Sequence, residues 1–451
     1  MSSPFHRPGG SLASGLGTPV NRRNFLFLGA TTAFLAGCGG GSGVGGGTKD
    51  AGGEFTGSYD GPQITLDYWN GFTGGDGPTM LDMVKEFSDA NDNIDVKNTT
   101  IQWAEYYQKL PAAAQAGKGP AVGVMHLDQV ASNAARGILV PLDDIAGEIG
   151  LSEEDFLQPV WAPGIYNDKR YGIPLDVHSL AMYWNQEHFD KAGIEEPPTD
   201  AASFEEACKK LQKAGYETPF WMPNRWPSHL MFFSLLWQHG GEPFAEDGSE
   251  ATFASEAGVA ALTWMREQVD KGYSPDNVDI DAQYLAFKNG ENSITWDGIW
   301  QINDLKAAGM NYGMAPIPTI GDQPAVWANS HHFFMTSQAA EDKNASTASK
   351  LFISELSQNS GRWAEAAMIP ARNSAREDAS YTDSPQAALD DQLENFRFLP
   401  SVPGVADTIA PTLEVAVNEA ILGKTSPQEA LEKYQAEATK LMEENLEKFG
   451  G

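Results

Sequence analysis

The chain has 451 residues, with 61 acidic against 30 basic side chains and a formal net charge of −31. So acidic a surface argues against nucleic acid as a partner and against electrostatic docking on anionic lipid. The length suffices for one large or two medium domains, each with its own core.

In chain order the first element is an export signal. Asn21-Arg22-Arg23-Asn24-Phe25-Leu26-Phe27 leads into a short apolar run that ends in Leu35-Ala36-Gly37-Cys38. Paired arginines, a run too short to span a bilayer and a small-residue cleavage site describe a secretory signal over residues 1–37. Leu-Ala-Gly before Cys38 resembles the lipobox of bacterial lipoproteins, so cleavage would leave Cys38 as a lipid-carrying N-terminus. The paired arginines resemble a twin-arginine export signal. Loss of Arg7, Arg22 and Arg23 with the signal takes the mature chain to about −34. Residues 38–59, mostly Gly with Ser, Thr and Ala, read as a flexible tether between the lipid anchor and a folded domain. With Cys38 lipidated, Cys208 is the one thiol left. It shares a helix-period apolar face with Phe204, Ala207 and Leu211 and is expected to be buried.

Gln63–Trp69 alternates and is β-rich, which predicts an opening strand. After the Gly-rich loop Asn70–Gly77, Pro78 starts a helix with Met80, Met83, Val84 and Phe87 at helical spacing. A strand over Ile94–Ile101, a helix over Trp103–Ala116 and a short buried strand over Ala121–Met125 follow. The alternation continues through most of the chain and indicates an α/β architecture with mainly parallel strands. Ligands of such sheets bind beyond the carboxyl ends of the strands. Arg170–His178, with Pro174 inside a strand-like run, suits an inter-domain crossing; Pro-rich Met314–Pro324 is a second candidate. Beyond Trp363 the chain is predicted to be mostly helical.

The chain contains 12 Trp, several of them beside Gly, Asn, Asp or His. That distribution suits carbohydrate, whose ring faces stack on indoles while its hydroxyls need polar partners. The candidate contacts begin with Phe72, Thr73 and Asp76 of the Gly-rich loop, Asp76 serving either a ligand or as the helix cap. Further along are Trp103, His126 and Asp128, then Asp176 and His178. Trp221 and Trp226 lie in a Pro-rich loop. Trp296, Asp297, Gly298 and Trp300 form one group near a strand end; Trp327, Asn329, Ser330 and His331 form another. Arg372 is expected to anchor its own loop. No cofactor and no metal are expected: His331 and His332 are adjacent and point to opposite faces of a strand, and no His-x-x-x-His or paired-Cys spacing occurs. Nucleophilic catalysis lacks a Gly-x-Ser-x-Gly elbow. A secreted glycoside hydrolase would need two carboxyls about 5–5.5 Å or about 6.5–9.5 Å apart, and no motif singles out such a pair.

The order of features resembles a family: extracellular solute-binding proteins of ABC importers, in the carbohydrate-binding group related to maltose-binding protein. Tyr171–Asn185 followed by His188–Gly193 is similar to the family's first hinge strand and the helix after it. Pro197-Pro198-Thr199 before Phe204 is similar to its P-x-T-W-x-E segment, with Phe in place of Trp. Ala286–Gly290 with Ile294–Trp300 resembles its F-x-x-G-x-x-x-M-x-x-x-G-x-W stretch. Tyr312–Pro318, Trp327–His331 and Ala420–Leu431 fit the later crossing, the strand beyond it and the characteristic ending. The resemblance runs from about residue 60 to the C-terminus. It implies a two-lobed periplasmic-binding-protein-like α/β fold with a hinge and an interlobe ligand cleft. Residues 60–174 and 325–360 would form lobe 1, and residues 175–324 and 361–451 lobe 2. It further implies a non-enzymatic monomer that hands a sugar to the permease subunits of an ABC importer while lipid-anchored outside the cytoplasm. Several well-separated Trp point to a di- or oligosaccharide. A polyamine remains open through Asp76, Asp128, Asp176 and Asp297. A glycerol phosphodiester would want converging Arg or Lys, which these candidates lack.

Overall fold

The computed structural model describes residues 55–449; the export signal, Cys38 and most of the tether lie outside the described residues. Phe55 and Tyr59, placed in the tether by composition, are buried. Asn93 fixes this stretch by donating its amide to the carbonyls of Tyr59 and Gly61, so the folded part begins by Phe55.

Two main sheets carry the architecture. In the first, the strands run in the order Ile94–Thr100, Ile64–Asn70, Val122–His126, His331–Met335, Ile173–Pro174. The helix Gly77–Ala90 covers this sheet with Met80, Met83, Val84 and Phe87, the face set by its 3.6-residue period. The second sheet is built on Asp176–Asn185, a strand whose first eight residues are all buried. Leu180–Tyr183 is its apolar run, while Asp176, His178 and Ser179 are polar groups buried at its start. The strand pairs antiparallel with Ile294–Gly298, Tyr312–Ala315, Val326–Asn329 and Ile369–Pro370. The helices Ser228–Gln238, Glu256–Asp270, Leu413–Ile421 and Pro427–Phe449 pack together on this side. Cys208 is fully buried in its helix, as expected.

The expectation of mainly parallel strands fails. Ile64–Asn70 is parallel to both neighbours, but His331–Met335 runs antiparallel to both of its own, Val122–His126 and Ile173–Pro174, and the second sheet's pairs with Asp176–Asn185 are antiparallel. His331–Met335 is the strand on which the chain returns from the second sheet to the first, so it meets its neighbours reversed.

Three crossings join the sheets: at Leu175, at Ser330, and over residues 359–368, from the helix Lys343–Gln358 to Ile369–Pro370. The first is where Pro174 placed it. The second is not at Met314–Pro324. That segment is held within the second sheet's side by Gln238, which donates to the carbonyls of Pro318 and Ala325 and accepts from the backbone N–H of Ile320. Val326–Asn329, assigned with the first sheet from residue 325 onward, therefore pairs in the second. Beyond Trp363 the mostly helical expectation holds only from Val405. The stretch before it consists largely of 3-10 turns at Ser360–Ala366, Ser374–Glu377 and Pro385–Asn395.

Candidate functional site

The crossings gather the chemistry. His126 ends its strand directly opposite His331 in the first sheet, and His178 lies opposite Asn329 in the second. Only Ser330, the second crossing, separates Asn329 from His331, so three histidines from distant parts of the chain meet where the sheets join. The rings of His178 and His331 stack with centroids 4.3 Å apart, and His126 lies 4.8 Å from His331.

Asp176 organises this centre. Its carboxylate accepts from His178 Nδ1 at 3.2 Å, and from His331 at both the backbone N–H (2.9 Å) and Nδ1 (2.7 Å). The indole N–H of Trp363 supplies a further donor at 2.7 Å. Burial pushes the Asp176 pKa up, but His331 and the hydrogen bonds from both imidazoles outweigh it and hold the group well below the usual carboxylate range. His126 Nδ1 is paired with the Tyr107 hydroxyl at 2.6 Å, an oxygen that also accepts the His126 backbone N–H. Burial and the charge of His331 lower the His178 pKa to about 4 and hold that of His126 well below the ordinary imidazole value.

Aromatic rings frame the histidines. Trp103 stacks on His331 at 5.4 Å, and Phe72 meets both Trp103 and Trp363. Trp300 and Trp327 meet His178 from the other side, at 5.9 and 5.8 Å, and Trp226, 38% exposed, continues the row beyond Trp300. Two glycines make this frame possible. A Cβ on Gly71 would sit 2.1 Å from the Trp103 ring, and one on Gly298 the same distance from the Trp300 ring. Each indole therefore lies flat against bare backbone, one on each side of the centre.

Polar groups complete the rim. Asp128 accepts from Asn329 at 3.2 Å, while its other carboxyl oxygen is buried without a partner. Burial raises its pKa to about 6. Asp76 is buried and likewise raised to about 6 by burial. Its side chain makes no helix-capping bond but accepts the Gly74 N–H, which rules out the capping alternative. Thr73 is exposed on the same loop. The buried Ser330 hydroxyl has no partner. The two sides touch around the centre: Asn303 donates to Gly75 O, Ser132 Oγ accepts the Gly404 N–H, and Arg136 pairs with Asp407.

Three candidates lie elsewhere. Trp296 is fully buried among Trp264, Phe204 and Phe220, because strand alternation turns it to the helix-covered face. Asp297 is engaged internally by Gln283, Gln301 and the Gly298 N–H, and burial raises its pKa to about 7. Trp221 follows Phe220, which bridges to Ile294 at the far end of the strand from Gly298, and its indole N–H goes to Thr218. Arg372 anchors its loop, paired with Asp155 and lying over Phe156. Trp363 went unassigned because no local pattern marks it; only the third crossing brings it to Asp176.

Residues 82–388 match the model of the family described as bacterial extracellular solute-binding protein. The chain belongs to that family. This solute-binding protein is 23% identical over 383 residues to the maltodextrin-binding protein MdxE of Bacillus subtilis, covering 81% of this chain and 87% of the relative. A maltooligosaccharide ABC transporter solute-binding lipoprotein of Streptococcus pneumoniae is 24% identical over 357 residues, 76% of this chain and 80% of the relative. Among solved structures, the GacH receptor of Streptomyces glaucescens, determined unliganded and with acarbose, superposes with a TM-score of 0.75 at 24% identity. That superposition covers 85% of this chain and 99% of the receptor and shows the shared fold. In the solute-binding protein described here, the aromatic and histidine centre sits at the crossings between the two sheets.

Proposed function

We propose that this solute-binding protein captures a di- or oligosaccharide between two lobes and presents it to the permease of an ABC importer. The first lobe takes in residues 60–174 and the first-sheet part of 325–360, from Ser330 onward. The second takes in residues 175–324, Val326–Asn329 and 361–451. The observation that carries the reading is the pair of indoles, Trp103 and Trp300, each laid flat on a glycine on opposite sides of the centre. Flat apolar faces of that kind complement pyranose rings, and the rim of Asp76, Asp128, Asn329 and Ser330 supplies partners for hydroxyls. The relatives' named ligands, maltodextrin and maltooligosaccharide, are of the same class. The contacts at Gly75–Asn303 and Arg136–Asp407 correspond to a closed arrangement, with hinge motion at the three crossings admitting solute.

The protein works outside the cytoplasm, with Cys38 as its lipid-carrying terminus and the twin-arginine route as its export path. Capture makes and breaks no bond. The test is a melting-temperature screen of the purified chain against mono-, di- and oligosaccharides, polyols, glycerol phosphates and polyamines. Ligand at a hundred times its Kd stabilises by about 2.7 kcal/mol. A shift with one sugar, recovered unchanged, supports the proposal; cleavage of that sugar, or a response confined to polyamines or phosphates, refutes it.

A further inference from the structure

The three histidines have an arrangement that sugar recognition does not call for. One ligand nitrogen from each of His126, His178 and His331 lies within 4.8 Å of the others. In His178 and His331 the Nδ1 atoms are bound to the Asp176 carboxylate, which can only accept, so both rings donate at Nδ1 and, in the neutral form that a metal ion takes, carry their lone pair at Nε2. His126 Nδ1 is bound to the Tyr107 hydroxyl, whose oxygen has lone pairs for both the ring and the backbone N–H. His331 Nε2 is buried and has no hydrogen-bond partner.

Three neutral imidazoles with ligand nitrogens this close need something positive among them. A single sugar hydroxyl donates one hydrogen and satisfies one of them. A divalent transition-metal ion satisfies all three and leaves a fourth position for water or a solute oxygen. The surroundings match what metal-bound histidines require: the second nitrogen of each ring is oriented by a carboxylate or another oxygen, with Asp176 serving two rings at once. Trp103, Phe72 and Trp363 wall the cluster on one side, which restricts exchange with water. Ligand nitrogens around zinc, with bonds of about 2.0–2.1 Å, stand roughly 3.4 Å apart. The rings therefore close by about an ångström on binding.

We propose that His126, His178 and His331 form a trihistidine site for a divalent transition-metal ion, with Asp176 and Tyr107 as its orienting partners. The site departs from the metal-free expectation drawn from sequence spacing, because its ligands lie on three separate strands. It stands whether or not the cleft takes sugar.

The test uses the full chain stripped with chelator and titrated with Zn²⁺ by calorimetry, and with Co²⁺ by visible absorption. The expected result is one ion per chain and the intense absorption of four-coordinate cobalt. His331→Ala and His126→Ala should each weaken Zn²⁺ binding by at least about 100-fold, and Asp176→Asn by about 10–100-fold. His126, at the half-buried edge, is the substitution least able to disturb folding, and far-ultraviolet circular dichroism checks each variant. No uptake by the folded chain overturns the proposal. So does uptake unchanged in folded His126→Ala, which would place the ion elsewhere. A sugar response in the stripped chain, with no Zn²⁺ uptake, overturns the metal site and leaves the sugar reading standing.

Discussion

The Asp176 carboxylate accepts the indole N–H of Trp363 at 2.7 Å, although the two residues are 187 positions apart. Asp176 follows the first crossing, His331 follows the second, and Trp363 lies on the third. One carboxylate therefore ties together the three segments through which any hinge motion passes. Hydrogen bonds to a charged group are worth about 1.5–3 kcal/mol each, and stranding a buried donor or acceptor adds its desolvation cost.

Trp363→Phe removes one donor and keeps most of the ring volume. We expect it to lower unfolding stability by about 2 kcal/mol. Asp176→Ala strands His178, His331 and Trp363 together and should cost more than about 3 kcal/mol. Urea unfolding measures both. Equal losses for the two variants would show that Asp176 is not the shared acceptor the geometry describes.

Two tryptophans on or beside one strand separate core from cleft. Trp296→Ala empties a site packed against Trp264, Phe204 and Phe220 and should cost about 3–5 kcal/mol of stability. Trp300→Ala, at a half-buried ring over Gly298, should cost less than half as much stability and reduce solute affinity at least about 10-fold. Thermal unfolding and calorimetry with the solute found by screening compare the two. A Trp300→Ala protein of unchanged affinity would remove that indole from the binding surface.

Asp297 titrates in the wrong place for a surface carboxylate, and the sign of its effect follows. Burial raises its folded pKa from 3.8 to about 7. The folded state thus keeps a proton that the unfolded chain releases from about pH 4. Its contribution to stability is complete below 3.8 and is lost as pH climbs through about 7. Asp297→Asn never ionises, so its stability relative to the parent should rise between pH 4 and 8, by up to about 4 kcal/mol. Asp76 and Asp128 shift in the same direction in both proteins, so the difference isolates Asp297. The Gln283 carbonyl oxygen, buried without a partner, can accept the new amide after a turn of its side chain. Denaturation curves at pH 5 and 8 decide it: a constant difference between the two proteins would show an Asp297 ionised throughout.

Legibility in the sequence followed the range of the forces involved. The first five elements were read within a residue or two because period and caps are local signals. Trp103, His126 and His178 were legible as polar or aromatic residues at or near the ends of strands. Trp296 was misread because alternation says which residues share a face but not which face meets solvent. The trihistidine cluster and the Asp176–Trp363 bond were invisible because each joins segments that only the crossings bring together. Pro-rich Met314–Pro324 misled for a related reason: proline excludes a central strand but does not say where the excluded segment is held.

Gln238 gives that last point a test. It is buried in the helix Ser228–Gln238 and binds the Pro318 and Ala325 carbonyls and the Ile320 N–H. Gln238→Leu keeps approximate volume but leaves those three backbone groups unpaired, at about 1–3 kcal/mol of desolvation each, partly recovered by water. We expect a stability loss of about 2–4 kcal/mol. Because the segment lies wholly on the second sheet's side, the solute-dependent change in radius of gyration should match the parent's. Small-angle scattering with and without solute measures that change. If Gln238→Leu altered the extent of closure while the protein stayed folded, the Pro-rich segment would belong to the hinge, and the crossing assigned to Ser330 would have to be redrawn.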